Sequence, residues 1–274
     1  MCKPINFNIV NKFLNMQYSI CTTVYNSESI VRDFLTPILN TNHEIVIVDG
    51  QSRDKTYEIL SEYGNRINLV QGKYSRGLGR KTAIEHSHGD IIVMMDFDIQ
   101  ISSIDPVIKA YESYGVNDKI FEFHLVGDEC NQNIFIATRS LFDYYDAWQN
   151  VNCMDDIYFE KVCNHFNAIR RIDLECPYKC LKIRNMGAGR ESRYEISFMG
   201  KIMRRVRCTS DILFISGFTY SRLLEFYKLH GFSGKVYGLF LYSSARILKR
   251  FVNTPSISNK IKEVEDKASK QESP

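Results

Sequence analysis

From Gln17 to Met95 the apolar positions gather into short runs separated by polar, glycine-punctuated stretches. The runs YSICTTVY (Tyr18 to Tyr25), HEIVIVDG (His43 to Gly50), RINLVQG (Arg66 to Gly72) and IIVMM (Ile91 to Met95) carry the β-branched, nearly unbroken pattern of strands buried on both faces. Between them IVRDFLTPIL, SRDKTYEILSEYG and SRGLGRKTAIEHSHGD have the spacing and punctuation of helices. Ser27 or Ser29 is expected to cap the first and Gly64 to stop the second. The third is expected to open as a Gly-rich turn, with His86 and His88 completing its last turn before Gly89. Strand and helix in strict alternation predict a parallel α/β sheet. Further on, KIFEFHLV, NIFIATRS and NAIRRIDLE read as strands, and MDDIYFEKVCNHF as a helix that begins on two acids. Helices dominate from Tyr194 to Phe251, in YEISFMGKIMRRVR, DILFISGFTYSRLLEFYKLHG and SGKVYGLFLYSSARILKRF. The polar end, NKIKEVEDKASKQESP, is expected to be disordered.

With 274 residues, 44% of them hydrophobic, the chain is long enough for one large domain with an appendage. A net charge of +3 gives no argument for a nucleic-acid partner. The charge is uneven, however. Ten Lys/Arg face two acids between Gly200 and Phe251, a local net of +8, which leaves −5 for the rest. Such a stretch, interleaved here with aromatic and aliphatic residues, fits a solvated face, a phosphate or an anionic lipid surface. Eight cysteines show no C-x-x-C spacing, and Cys176 and Cys180 have no His at ligand spacing, so no zinc site is expected. The start of the chain has no signal-peptide pattern, and no apolar run is long enough to span a bilayer. These features point to free, mostly buried thiols in a reducing cytoplasm, with a peripheral position on the inner face of the membrane as the alternative to a freely diffusing protein.

The run GDIIVMMDFDIQ ends a buried strand on two carboxylates, Asp96 and Asp98. An unpartnered buried carboxylate is costly, so either the strand runs out into water or something positive sits at its tip. In parallel α/β sheets ligands bind beyond the carboxyl ends of the strands, and Asn26, Asp49 and Asp96 each lie at such an end. The segments YSICTTVYNSES, EIVIVDGQSRDKT, SRGLGRKTAIEHSHGDIIVMMDFD and CMDDIYFE, in this order and spacing, resemble the family-2 glycosyltransferases of the GT-A fold. The resemblance covers Gln17 to about Arg171 and weakens after Ile183. It implies a Rossmann-like, mostly parallel central sheet flanked by helices, with a helical C-terminal extension. The domain reading that follows is an N-terminal extension over 1–16, a GT-A catalytic domain over 17–186, a helical extension over 187–251 and a polar tail over 252–274.

The resemblance also implies roles. Asp98 would be the direct ligand of a divalent metal, manganese or magnesium, with Asp96 ligating beside it or facing the ribose. Hard oxygen donors suit both ions, which keep positions open for phosphate. Tyr25 and Asn26 would bracket the nucleobase, Asp49 would hydrogen-bond it, and Arg76 would approach the nucleotide. By its chain position alone Asp49 reads equally as the Asx-turn residue of DGQS, Tyr25 as core packing, and Arg80 as cover for a helix's outer face. One of Asp155 and Asp156 would take the proton from the acceptor hydroxyl in an inverting transfer. The alignment puts Asp156 in the base position, and this chain has Asp where the family commonly has Glu before it. Helix-capping acids are the plainer reading of both. Arg190 and Arg193, in GRESRYE, would cover the diphosphate. The donor is then a nucleotide-diphosphate sugar and the acceptor a glycan or a lipid-linked molecule, through a hydroxyl or a lipid phosphate. The alternative is an inactive homologue that binds a nucleotide sugar or scaffolds a partner. A nucleotidyltransferase is disfavoured, because VYNSES after the first strand holds no glycine.

Overall fold

The four apolar runs lie side by side in one sheet. The computed structural model describes residues 16–115, 118–125, 132–176, 178–181, 198–251 and 255–271. Strands β1 (Tyr18–Val24), β2 (Glu44–Asp49), β3 (Asn68–Gln71) and β4 (Ile91–Met94) are mutually parallel. Helices α1 (Val31–Ile38), α2 (Thr56–Ser61) and α3 (Arg76–Glu85) make the crossovers. The chain continues through β5 (Ile99–Ile101), α4 (Asp105–Tyr114), β6 (Ile120–Leu125), β7 (Gln132–Thr138), α5 (Arg139–Tyr145), α6 (Asp155–His165), β8 (Ile169–Leu174) and β9 (Tyr178–Cys180). The seven-stranded order is β3-β2-β1-β4-β7-β6-β8. β7 runs antiparallel to β4 and β6, and β6 is parallel to β8, so one strand alone is reversed. A two-stranded antiparallel ribbon, β5 with β9, stands apart.

Alternate residues of the central strands feed two cores, one on each face of the sheet. Ile45 and Ile47 join Phe34, Tyr111 and Phe121 on one side. Val46 and Val48 join Met94, Phe135, Trp148 and Phe159 on the other. This is why the strands read as continuous apolar runs. Beyond the sheet, α7 (Phe198–Ser216), α8 (Tyr220–Phe226) and α9 (Gly231–Lys249) form the helical extension, and α10 (Ile257–Gln271) follows.

Several expectations need correction. No side chain caps α1, whose N-cap is Ile30. Ser27 is buried, with its N–H on Thr56 Oγ1 (2.6 Å) and its hydroxyl on the Tyr25 carbonyl (3.0 Å). Gly77 and Gly79 lie inside α3 rather than in a turn, and Ser75 is its cap. A Cβ on Gly77 would strike the Gln149 carbonyl, and one on Gly79 would strike Thr23 Oγ1, so these glycines permit close approach. The thiols are not all free, since Cys153 and Cys208 form a disulfide between the segment before α6 and α7. The polar tail is not disordered over 257–271. Ile257 and Val264 of α10 lie two turns apart and join the cluster of Phe159 and Val162. Lys260 Nζ, buried, reaches Asp146 Oδ2 (3.1 Å) and Glu263 Oε1 (3.0 Å).

Candidate active site

The carboxyl ends of β1 and β4, the start of α6 and one face of α7 enclose a cleft of about 630 Å³. Tyr25, Arg76, Asp96, Asp98 and Asp156 all line it, so five residues singled out in the sequence come together here. The positive charge at the tip of the fourth strand is Arg80. Its guanidinium contacts the Asp96 carboxylate and, through Nε, Asp155 Oδ2 at 3.3 Å. The Arg80 side chain is 5% exposed and the Asp96 side chain 38%, so Arg80 lies behind the cleft and Asp96 faces into it. Arg80 does not cover an outer helix face. Its Cζ sits 4.6 Å from the centre of the Trp148 ring, which stacks on Phe159 at 4.2 Å. A core aromatic stack therefore fixes the cation that fixes Asp96. Arg76 and Arg80 are one helical turn apart on α3, a spacing that could have marked them as a pair.

The two acids at the start of α6 occupy different environments. Asp155 is 1% exposed, accepts from Arg76 Nε at 2.5 Å and pairs with Arg80. Asp156 is partly exposed and lines the cleft. Burial opposes the Arg76 charge, but the Asp155, Asp96 and Asp156 carboxylates outweigh it and push its pKa up, so Arg76 stays cationic. Met154, just before the pair, has a left-handed backbone (φ 60°). The segment leading to it is clamped by Asp211 of α7, whose Oδ2 accepts from the Asn152 and Cys153 amides at 3.0 and 3.2 Å. Nothing in the local sequence signalled Asp211, which lies more than fifty residues downstream.

Asp49 and Asn26 lie beneath the cleft rather than on its lining. Asp49 is fully buried. It accepts from Ser52 N (3.0 Å), the Ser52 hydroxyl and Gln71 Nε2 (2.8 Å), as an Asx-turn residue does. Asn26, left-handed at φ 45°, donates its N–H to Ser52 Oγ (2.8 Å) and accepts from Arg53 N (2.7 Å). The two residues lock the loops after β1 and β2 together, beside Tyr25 and Gly50 of the lining. Arg190 and Arg193 lie outside the described residues.

Asp96 and Asp98 offer oxygen donors only, on one turn that opens to the cleft. Among the described residues no group of three His, Cys, Asp or Glu side chains could hold a metal. The donor set fits an ion that takes one or two carboxylates and completes its shell with ligand phosphates, as magnesium does. From the other side α7 contributes Lys201, Arg204 and Arg205 to the lining.

A family model described as Glycosyl transferase family 2 matches residues 19–171, more than half of the chain. Among curated proteins, the poly(ribitol-phosphate) β-N-acetylglucosaminyltransferase TarS of Staphylococcus aureus (strain Mu50) is 28% identical over 97 residues, 32% of this chain. That stretch spans only 17% of the length of TarS. Among solved structures, S. aureus TarS 1–349 in complex with UDP-GlcNAc superposes with a TM-score of 0.52 at 18% identity, covering 72% of this chain and 67% of that one. The mannosyltransferase PcManGT from Pyrobaculum calidifontis, in complex with GDP-Man and Mn2+, gives 0.50 at 14% identity, covering 85% and 73%. Both structures share the fold.

Proposed function

The chain belongs to glycosyl transferase family 2, and from that premise we propose that it moves a sugar from a nucleotide-diphosphate donor to an acceptor, with a divalent cation and inversion at the anomeric carbon. The observation that carries this reading is the meeting of Asp96, Asp98 and Asp156 in one cleft at the carboxyl ends of the strands. Tyr25 packs beside the base, in loops that Asp49 and Asn26 hold in shape. Asp98, with Asp96, would hold manganese or magnesium. When bound, that ion neutralises charge growing on the diphosphate. PcManGT with its Mn2+ supports a metal by analogy of fold. Arg76, kept cationic by three carboxylates, faces the same charge.

Asp156 takes the proton from the acceptor hydroxyl as its oxygen bonds to the anomeric carbon. The anomeric bond to the diphosphate breaks, and the electron pair leaves with the nucleoside diphosphate. Asp155 is the poorer base, because Arg76 and Arg80 already engage its carboxylate. If the acceptor is a lipid phosphate, it attacks as an anion and needs no base. A thermal-shift panel of nucleoside diphosphates, with and without manganese, tests the donor half. A ligand at 100 times its Kd adds about 2.7 kcal/mol of stability. One base class is expected to stabilise the protein, and more strongly with manganese. No response to any of them would contradict the reading.

The outer face of α9 supports a second statement, a peripheral seat on an anionic membrane. Phe232, Val236, Leu239, Phe240 and Ile247 are exposed, and Phe251 beyond the helix continues their stripe. Lys235, Arg246 and Arg250 flank it, Lys249 turns inward with Nζ 5.2 Å from the centre of the Phe214 ring, and α9 contains no acid. No helix among the described residues is long and apolar enough to cross a membrane, so the helix would lie in the interface.

A further inference from the structure

The helical extension meets the α/β core through α7, and one of the ties is covalent. Cys153 and Cys208, 55 residues apart in the chain, form a disulfide whose two half-buried ends line the cleft. A small thiol entering the cleft can therefore reach it. Cys21 and Cys163 lie in the core, where burial pushes both thiols up and keeps them protonated. The bond divides α7 into unlike halves. After it Thr209, Asp211, Ile212, Leu213 and Ile215 are buried. Asp211 accepts from the Asn152 and Cys153 amides, and Lys161 Nζ donates to the Ile215 carbonyl at 2.8 Å. Before it Phe198 is 78% exposed and Met199 63%, and of residues 198–208 only Val206 is buried. Arg205 reaches the Tyr237 hydroxyl at 3.5 Å, but Tyr237 belongs to α9 and so to the extension itself. A half-helix that buries so little belongs to the parts of a fold that open first. Breaking the S–S bond thus loosens the first half of α7, whereas Asp211 still pins the backbone that leads to Asp156.

We propose that Cys153 and Cys208 are an exchange site for small thiols and disulfides, and that their bond sets the order of the cleft wall formed by the first half of α7. The inference adds regulation to the site and rests on the transferase reading only for what the cleft binds. In reduction a small thiolate attacks one sulfur, and the S–S bond breaks with its electron pair on the other cysteine, which takes up a proton. A second small thiolate attacks the small molecule's sulfur in the mixed disulfide and expels the remaining cysteine, which is protonated in turn. The chain gains two electrons and two protons, and the two small thiols leave as their own disulfide. An excess of that disulfide drives the same steps backward. With the bond closed the wall is pre-formed, whereas with the bond open a ligand must order it on binding, which weakens affinity.

The test compares the full chain in oxidised glutathione with the full chain in dithiothreitol, under native conditions. Alkylation with iodoacetamide and peptide mapping should find Cys153 and Cys208 bonded in the first and alkylated in the second. On reduction hydrogen exchange should rise by about tenfold across 198–208 and stay within about twofold across 152–156 and 209–216. Calorimetry with manganese and the nucleoside diphosphate that binds best should show affinity falling by about threefold or more. Cys208→Ser should exchange and bind as the reduced wild type does in both conditions. Cys153→Ser repeats that comparison, and the wild type in its two states needs neither variant to fold. The proposal falls if the pair is not bonded in oxidised glutathione or stays bonded in dithiothreitol. It falls if reduction abolishes the cooperative melting transition, which would make the bond a structural staple. It also falls if exchange across 198–208, or the affinity of a chain that binds nucleotide, is the same in both states. A chain that binds no nucleoside diphosphate in either state would remove the transferase reading, while mapping and exchange still decide the switch.

Discussion

Asp155 and Asp156 are chain neighbours in opposite surroundings, and their substitution should separate two kinds of damage. Asp156→Asn is expected to keep the melting temperature and nucleotide affinity while slowing transfer by about 10²–10⁴-fold, the range for loss of general base catalysis. Asp155→Asn leaves Arg80 buried with one carboxylate fewer, so it should lower stability by about 3 kcal/mol. Melting curves and transfer rates on both variants check this, and the reverse pattern would exchange the roles. Asp211 is a third acid with its own signature. Burial pushes its carboxyl up from 3.8 to about 6, against the two amides that favour its charge. The stability it contributes is complete below its unfolded pKa and is lost as the pH rises through about 6. Asp211→Asn keeps an oxygen for the Asn152 and Cys153 amides but does not ionise. The variant should gain on the wild type by on the order of 2–3 kcal/mol between pH 4 and pH 7, read from denaturant midpoints. A constant difference across that range would exclude the buried charge as the cause. Of these residues, the acids at strand and helix ends were legible in the sequence, because a carboxylate beside an apolar run demands an explanation. Arg80 and Asp211 were not, because their partners are remote in the chain.

At the scale of elements, local signals worked where burial was continuous and failed where it was a narrow stripe. The strands β1 to β4 were readable because both faces are buried. The tail read as disordered because its composition is polar, yet Ile257 and Val264 two turns apart suffice to dock α10 on α6. The glycines of α3 suggested a turn, whereas their role is to let the helix approach Thr23 and the Gln149 carbonyl. For α9, sequence alone left open whether its basic residues form a solvated face or meet phosphate or anionic lipid. Its packing buries Leu241 and Ala245 and leaves the Phe232 to Ile247 stripe outward. Full-length protein should co-sediment with anionic vesicles at low salt and less at high salt, each flanking Lys or Arg contributing about 1 kcal/mol. Phe232→Ser with Phe240→Ser should reduce that binding at unchanged melting temperature. No sedimentation with anionic vesicles at low salt would remove the membrane seat.

Across the whole molecule, alternation of strand and helix made the parallel half legible, whereas strand order was not. The reversed β7 sits between β4 and β6, and no residue in NIFIATRS announces that direction. α7, folded back over the carboxyl ends of β1 and β4, turns that end of the sheet into a cleft with an acidic floor and a basic wall. The central claim is that this cleft loads a nucleotide sugar on Asp98 and a divalent cation. The most direct measurement is release of nucleoside diphosphate from a panel of sugar nucleotides by the full-length wild type and Asp98→Ala, with manganese and with chelator. The account predicts release from donors of one base class, dependent on manganese and abolished by Asp98→Ala at unchanged melting temperature. Release that persists at wild-type rate in Asp98→Ala, or that ignores the chelator, would contradict it.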